Sequence, residues 1–139
     1  MDSSEETLFD VAMKRYQEGA DARDLLKDFE SITAMYPGQS AGWTCLAWLQ
    51  LLSEQNEEAL RSARTAVKLN KQDPQARINL SLALLATNSK GVRDHIEFVK
   101  RALLVVPDFE SELKSSIEDG LKRKPEWESL KKIKNWLEL

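Results

Sequence analysis

Apolar residues recur along this chain every three or four positions, and short polar segments interrupt that pattern at regular intervals. This spacing is typical of amphipathic helices, and it predicts an all-α fold of eight helices without strands. In chain order the helices are expected near residues 5–18, 22–36, 40–53, 56–70, 74–87, 91–106, 109–121 and 125–138. Four side chains at the expected helix starts are suited to accept backbone N–H groups as N-caps: Asp21, Ser40, Ser53 and Asp73.

The predicted helices form pairs that repeat about every 34 residues. Pro37 and Pro107 each end a similar apolar segment, and Lys71 takes the proline's place in a third segment between them. Lys71 lies 34 residues after Pro37 and 36 residues before Pro107, and Trp43 likewise lies 34 residues after Phe9. A helix pair with a period of about 34 residues is the unit of the tetratricopeptide repeat (TPR).

From about Glu5 to Pro107 the chain resembles a TPR protein with three repeats. The resemblance rests on aromatic, small and proline residues at matching positions of the helix pairs: Phe9, Tyr16, Phe29, Pro37, Trp43, Leu46, Ala47, Ala59, Ala66, Leu80, Ser81, Ala102 and Pro107. Four residues depart from the repeat pattern: Gln50, Arg77, Leu84 and His95. The resemblance implies a right-handed α-α superhelix of stacked helix hairpins, a TPR-like solenoid, whose concave surface is lined by the first helix of each pair.

Residues 109–139 match the repeat poorly, yet they still predict a helix pair. Their apolar residues recur at helical spacing: Phe109, Leu113, Ile117, Leu121, Trp127, Leu130, Ile133 and Leu137. Solenoids need atypical ends to cover the apolar face of the last repeat, so a capping pair is expected. We therefore expect one domain, 1–139, with repeats at about 6–39, 40–73 and 74–109 and capping helices at 109–139.

The inner face of the first helices is predicted to form an apolar groove for a partner protein. Helical spacing places this face opposite the stripe that packs on the second helix of each pair. The candidate partner-binding residues are Thr44, Trp48, Leu51, Leu52, Ile78, Leu82 and Leu85. We expect Trp48 to be an accessible anchor, because tryptophan is enriched at binding hot spots. Three occupants of the groove remain open: an external partner, a second copy in a homodimer, or the chain's own C-terminal helix.

The groove does not resemble that of TPR domains that bind acidic chaperone tails. Those domains clamp a terminal carboxylate with lysine, arginine and asparagine side chains. The matching positions here hold Asp10, Lys14, Ile78 and Leu82, so the clamp is absent.

Composition and charge narrow the class of partner. The net charge is −3, from 20 basic and 23 acidic residues, which disfavours a nucleic-acid partner. The chain has no run approaching the roughly 18 apolar residues of a membrane span and no recognisable secretory signal, so we expect no membrane partner and a cytoplasmic location. The single cysteine, Cys45, fits a reducing compartment.

Catalysis has little support in this sequence. His95 is the only histidine, so no histidine-rich metal site can form. We interpret His95 as an interhelical packing residue and Cys45 as a small, half-buried helix residue. No phosphate-binding or dinucleotide-binding glycine motif is present. No catalytic residue, metal or cofactor is therefore predicted, and we expect the protein not to be an enzyme.

The sequence is thus interpreted as a protein–protein interaction module or scaffold that binds a partner segment in an apolar concave groove. One alternative is a TPR-type secretion chaperone that holds an apolar substrate segment, as chaperones of type III secretion translocators do. A second alternative is a structural subunit that self-assembles.

Overall fold

The computed structural model describes residues 7–139, and within that range it contains eight α-helices and no strand. The helices are α1 (Leu8–Gln17), α2 (Ala22–Met35), α3 (Ser40–Leu52), α4 (Asn56–Leu69), α5 (Pro74–Ala86), α6 (Val92–Val105), α7 (Phe109–Arg123) and α8 (Glu128–Leu137). The prediction of an all-α fold is confirmed. The expected start of the first helix at residue 5 lies outside the described residues. None of the helices between residues 7 and 139 is both long enough and apolar enough to cross a membrane.

Two of the four predicted N-caps are confirmed. Asp21 and Asp73 each accept a backbone N–H from the second residue of the helix that follows, α2 and α5. Ser40 is already the first residue of α3, and Ser53 ends α3 rather than starting α4, so these two predictions are wrong. The missed cap is Thr7, which forms a reciprocal capping box at the start of α1.

Consecutive helices from α1 to α6 pack against one another, and α3 also packs against α5. This is the stacked-hairpin arrangement of a TPR-like solenoid. Small residues permit close contact between the helices: Ala59, Ala63 and Ala66 of α4 have no exposed surface, and neither do Ala47 of α3 and Ala83 of α5. Because these side chains occupy little volume, the large side chains of neighbouring helices can pack between them.

The C-terminal pair, α7 and α8, leaves the repeat arrangement. Helix α8 packs against α5 and α6 and buries Leu130 and Ile133 completely, so it covers one side of that helix pair. Helix α7 instead reaches the first repeat, where Arg123 donates hydrogen bonds to the backbone carbonyls of Tyr16 and Ala20 at 2.7 and 2.8 Å. The pair therefore covers part of the concave side of the solenoid.

A glycine permits α7 to lie close to α3 and α8. A Cβ atom on Gly120 would stand 2.7 Å from a methyl carbon of Leu130 and 2.9 Å from the indole ring of Trp48. Optimal carbon–carbon separations are about 3.5–4.0 Å, so a larger side chain at this position would force Leu130, Trp48 or the helices that carry them to move. Gly120 is thus the point where α3, α7 and α8 meet.

We predict that Gly120→Ala destabilises the protein by about 1–3 kcal/mol, the usual cost of overpacking. The sign of the change in unfolding free energy distinguishes the two cases, because replacing a glycine by alanine inside a helix without such contacts stabilises the helix by about 1 kcal/mol. Thermal and urea unfolding followed by circular dichroism measure the effect. Gly38→Ala is the control, since a Cβ there meets nothing within 4 Å. Unchanged or increased stability of Gly120→Ala would contradict the described packing.

Candidate functional site: the concave cleft

A cleft of about 870 Å³ opens between the first helices of the repeats and α7. We call it the concave cleft. Its floor is formed by residues of α1, α2, α3 and α5: Met13, Tyr16, Gln17, Phe29, Thr44, Cys45, Trp48, Leu49, Gln75 and Asn79. Its opposite wall is formed by residues of α7: Ser111, Glu112, Ser115, Ser116 and Asp119. A bound molecule would therefore contact a largely apolar and aromatic surface on one side and a polar one on the other.

The structure places two of the seven predicted groove residues, Thr44 and Trp48, at the concave cleft. Three lie in a buried core with apolar residues of α7 and α8: Leu51, Ile78 and Leu82. Two are half-buried beside that core: Leu52 and Leu85. Three candidates could occupy the predicted groove, and in the described chain its own C-terminal helices lie there. A role of the seven residues in partner binding stays a prediction.

Trp48 is not the accessible anchor that we predicted. Only 8% of its surface is exposed, and its ring centroid lies 5.3 Å from that of Trp127. Its Nε1 donates a hydrogen bond to the Tyr16 hydroxyl at 2.8 Å. Helical spacing placed Trp48 on the inner face of α3 correctly, but spacing does not show that α7 and α8 lie over that face. A molecule in the concave cleft would meet only a small part of the indole.

A polar network joins the two sides of the concave cleft near α1. The Tyr16 hydroxyl accepts from Trp48 and donates to the Asp119 carboxylate. Arg123 pairs with Asp119 at 3.1 Å, and its guanidinium carbon lies 3.9 Å from the centre of the Tyr16 ring. Burial, reinforced by the Asp119 carboxylate, raises the pKa of Tyr16 above its ordinary value, so the hydroxyl stays protonated as a donor. These contacts fix α7 to α1 and α3.

Two buried polar side chains on the floor, Thr44 and Asn79, already have partners within the protein. Asn79 is fully buried; it donates to the Thr44 carbonyl and accepts from Gln75 Nε2, both at 2.9 Å. The Thr44 hydroxyl donates to the Ser40 carbonyl at 3.0 Å. Leaving such buried groups unpaired costs about 1–3 kcal/mol each, so they hold their positions. The floor is therefore preorganised.

Cys45 and His95, the two candidates for reactive chemistry, have different surroundings. The Cys45 Sγ lies 3.7 Å from the Met13 sulfur, and burial raises the pKa of its thiol to about 12, which disfavours the reactive thiolate. The His95 Nδ1 lies 3.2 Å from an Arg77 guanidinium nitrogen, which confirms its interpretation as a packing residue with a partnered ring nitrogen. Among residues 7–139, no three or more His, Cys, Asp or Glu side chains are grouped to hold a metal ion.

Sequence reasoning missed most of the concave cleft. The repeat pattern predicts α7 only as part of a capping pair, and it does not indicate that the polar residues of α7 line a binding surface. Ser111, Ser115 and Asp119 nevertheless recur every four positions, and they alternate with the buried Leu113 and Ile117. This amphipathic pattern was the available signal that α7 presents a second, polar face.

We predict that Trp48→Ala destabilises the protein by about 3–5 kcal/mol, as expected for a buried tryptophan. The reason is the loss of its packing against Trp127 and α7, together with its hydrogen bond to Tyr16. Urea unfolding monitored by circular dichroism checks this. Trp136→Ala is the matched control, because Trp136 is 41% exposed and should change stability by less than about 0.5 kcal/mol. Equal stability of the two variants would show that Trp48 is not part of the core.

We predict that Tyr16→Phe costs about 1–3 kcal/mol, because it leaves the Trp48 N–H and the Asp119 carboxylate without their shared partner. The measurement is the free energy of unfolding in urea. Tyr36→Phe is the control, since Tyr36 is exposed at the surface. A loss of the same size in both variants would argue against the network.

In structure the chain is similar to the Yersinia enterocolitica type III secretion translocator chaperone SycD, in a crystal structure of an alternative dimer. The TM-score is 0.65 at 18% sequence identity, over 95% of this chain and 92% of that chain. No protein-family model matches the chain, and no curated protein matches it in sequence. The likeness establishes the fold, which is the all-α, TPR-like arrangement of helix hairpins predicted from the repeat.

Proposed function

We propose that this protein is a diverged TPR protein that binds an extended segment of a partner polypeptide in the concave cleft. The observation that carries the proposal is the preorganised cleft, with an apolar and aromatic floor facing a polar wall on α7. A cleft of this size and composition is typical of a binding site rather than of a packing defect.

The concave cleft offers apolar surface for the side chains of a peptide and polar groups for its backbone. The apolar floor around Met13 and Cys45 matches apolar side chains of a bound segment. Hydroxyl groups of Ser115 and Ser116 on the wall, and amides of Gln17 and Gln75 on the floor, can satisfy the segment's backbone N–H and C=O groups.

The charge of the residues that line the concave cleft indicates which charge a bound segment should carry. Its lining residues include two carboxylates, Glu112 and Asp119, and no lysine or arginine. Asp119 is paired with Arg123, whereas Glu112 is exposed on the wall. An acidic tail would be repelled, so we expect a neutral or basic segment, in agreement with the missing carboxylate clamp.

The best-supported specific form of this function is a secretion chaperone that keeps an apolar substrate segment from aggregating. The likeness to SycD over nearly the full length of both chains favours this form over a general scaffold. A self-assembling structural subunit is a third form, and measuring the mass in solution distinguishes it from the other two.

Site-specific photo-crosslinking tests the proposal. A benzophenone amino acid at Ser115, on the wall, should crosslink to a polypeptide in the source cell. The same amino acid at Lys122, exposed on α7 but outside the lining, should not. A synthetic peptide of the crosslinked segment should then bind the wild-type protein. Ser115→Trp, which narrows the cleft from its wall, should weaken that binding at least about tenfold, or 1.4 kcal/mol.

The control is Lys122→Trp, which should leave peptide affinity unchanged, and circular dichroism should show that both variants remain folded. A segment from a secreted translocator subunit would identify the chaperone form. Equal crosslinking from both positions, or equal affinity of the two tryptophan variants, would refute binding in the concave cleft.

A further inference from the structure

Exposed apolar side chains stand at the C-terminal ends of α2, α4 and α6. Met35, Leu69 and Val105 occupy the same position of the three repeats, and their exposed fractions are 56%, 42% and 79%. Leu104, beside Val105, is 83% exposed. We call these four residues the outer row. It is separate from the concave cleft, because none of the four contributes to the cleft's lining.

The exposure of the outer row is a property of the repeat. The residues that match Leu104 in the first and second repeats are Ala34 and Lys68, and both are exposed as well. The fold thus turns this position to solvent in each repeat, and nothing in the packing requires leucine there. Large apolar residues kept together on a surface usually mark an interaction site.

Basic side chains gather beside the outer row. Arg77 donates to the Lys71 carbonyl at 2.9 Å and lies over the Phe98 ring at 4.1 Å, which brings the α4–α5 connection and α6 together. Arg101 is close enough that its charge, after burial, lowers the pKa of Arg77. Lys68 precedes Leu69 directly. We call Lys68, Lys71, Arg77 and Arg101 the basic cluster.

Positive charge and exposed apolar surface lie on the same face of α6. Arg101, Leu104 and Val105 are three and four residues apart, so they share one face of α6. No member of the basic cluster forms an ion pair with another of the residues 7–139. Lys68, Lys71 and Arg101 are exposed and therefore offer three positive charges that have no ion-pair partner among residues 7–139. The Arg77 guanidinium is half-buried and already hydrogen-bonded to the Lys71 carbonyl and His95.

We propose that the outer row and the basic cluster bind an acidic amphipathic helix of a partner protein. A narrow apolar row with positive charge along it complements a helix that carries an apolar stripe flanked by Asp and Glu. This inference does not depend on the concave cleft, and it gives the protein a second interaction surface with the opposite charge preference.

A helix fits this surface better than the other candidates. A flat anionic membrane or a nucleic-acid backbone extends over a wider area, so it would also meet the exposed Asp94 and Glu97 in the N-terminal half of α6, which repel it. A second copy of this chain that docked through the same surface would bring two basic clusters together. A single helix can follow the apolar row while its acidic flank faces the basic cluster.

The test uses the full-length protein and synthetic probes. One probe is a fluorescent amphipathic helical peptide with a leucine stripe flanked by Glu, and its matched control has Lys in place of each Glu. Vesicles of phosphatidylcholine with phosphatidylserine test the membrane alternative. Fluorescence anisotropy should show binding of the Glu peptide, no binding of the Lys peptide, and no binding of vesicles by co-sedimentation.

Two variants test the two components separately. Lys71→Glu combined with Arg101→Glu removes the positive charge, and Leu104→Ser combined with Val105→Ser removes the apolar contact. Each should weaken binding of the Glu peptide about tenfold or more, since charged and apolar anchors commonly contribute at this level. Lys122→Glu combined with Lys132→Glu makes the same change in net charge at exposed positions of α7 and α8, and it should leave affinity within about twofold.

Four results would each overturn the proposal: no binding of the Glu peptide, equal binding of the Lys peptide, binding of vesicles in place of the peptide, or equal loss in the control variant. Because the substituted side chains are exposed, all variants should keep the wild-type circular dichroism spectrum and melting temperature.

Discussion

The contact of Trp48 with Gly120 and Trp127 is the interaction on which the arrangement of the concave side depends. It joins α3, in the middle of the solenoid, to both helices of the C-terminal pair. The tryptophan supplies a large apolar surface, and the glycine removes the one side chain that would hold α7 away. Without this contact, α7 and the inner face of α3 would lose the apolar surface that they bury against each other.

This packing changes the character of the concave surface. An open TPR-like solenoid would present a broad apolar groove, whereas here the deepest apolar residues, such as Leu51 and Leu82, are covered by the chain itself. What remains is a cleft with an apolar floor and a polar wall, closed at one end by the network of Tyr16, Asp119 and Arg123. The helix pair of α7 and α8 therefore shapes the site.

Charge is distributed unevenly over the surfaces proposed to bind partners. The concave cleft carries carboxylates and no basic residue, while the basic cluster lies beside the exposed apolar residues at the ends of α4 and α6. Net charge describes neither surface, because it averages over both. Under the two proposals, one chain would hold a neutral or basic segment in the cleft and an acidic helix at the outer row, as a scaffold or a chaperone with an adaptor does.

The sequence by itself determined the eight helices, their pairing and the all-α fold, because helical periodicity, turn residues and a period of about 34 residues are local properties. It also placed Thr44 and Trp48 on the inner face of α3. Only the tertiary structure decided whether that face is open. Whether Trp48 is buried depends on its contact with Gly120, 72 residues later in the chain, and no local sequence pattern connects the two. An apolar stripe specifies that it must be buried, but not against which surface, since the hydrophobic effect is non-directional.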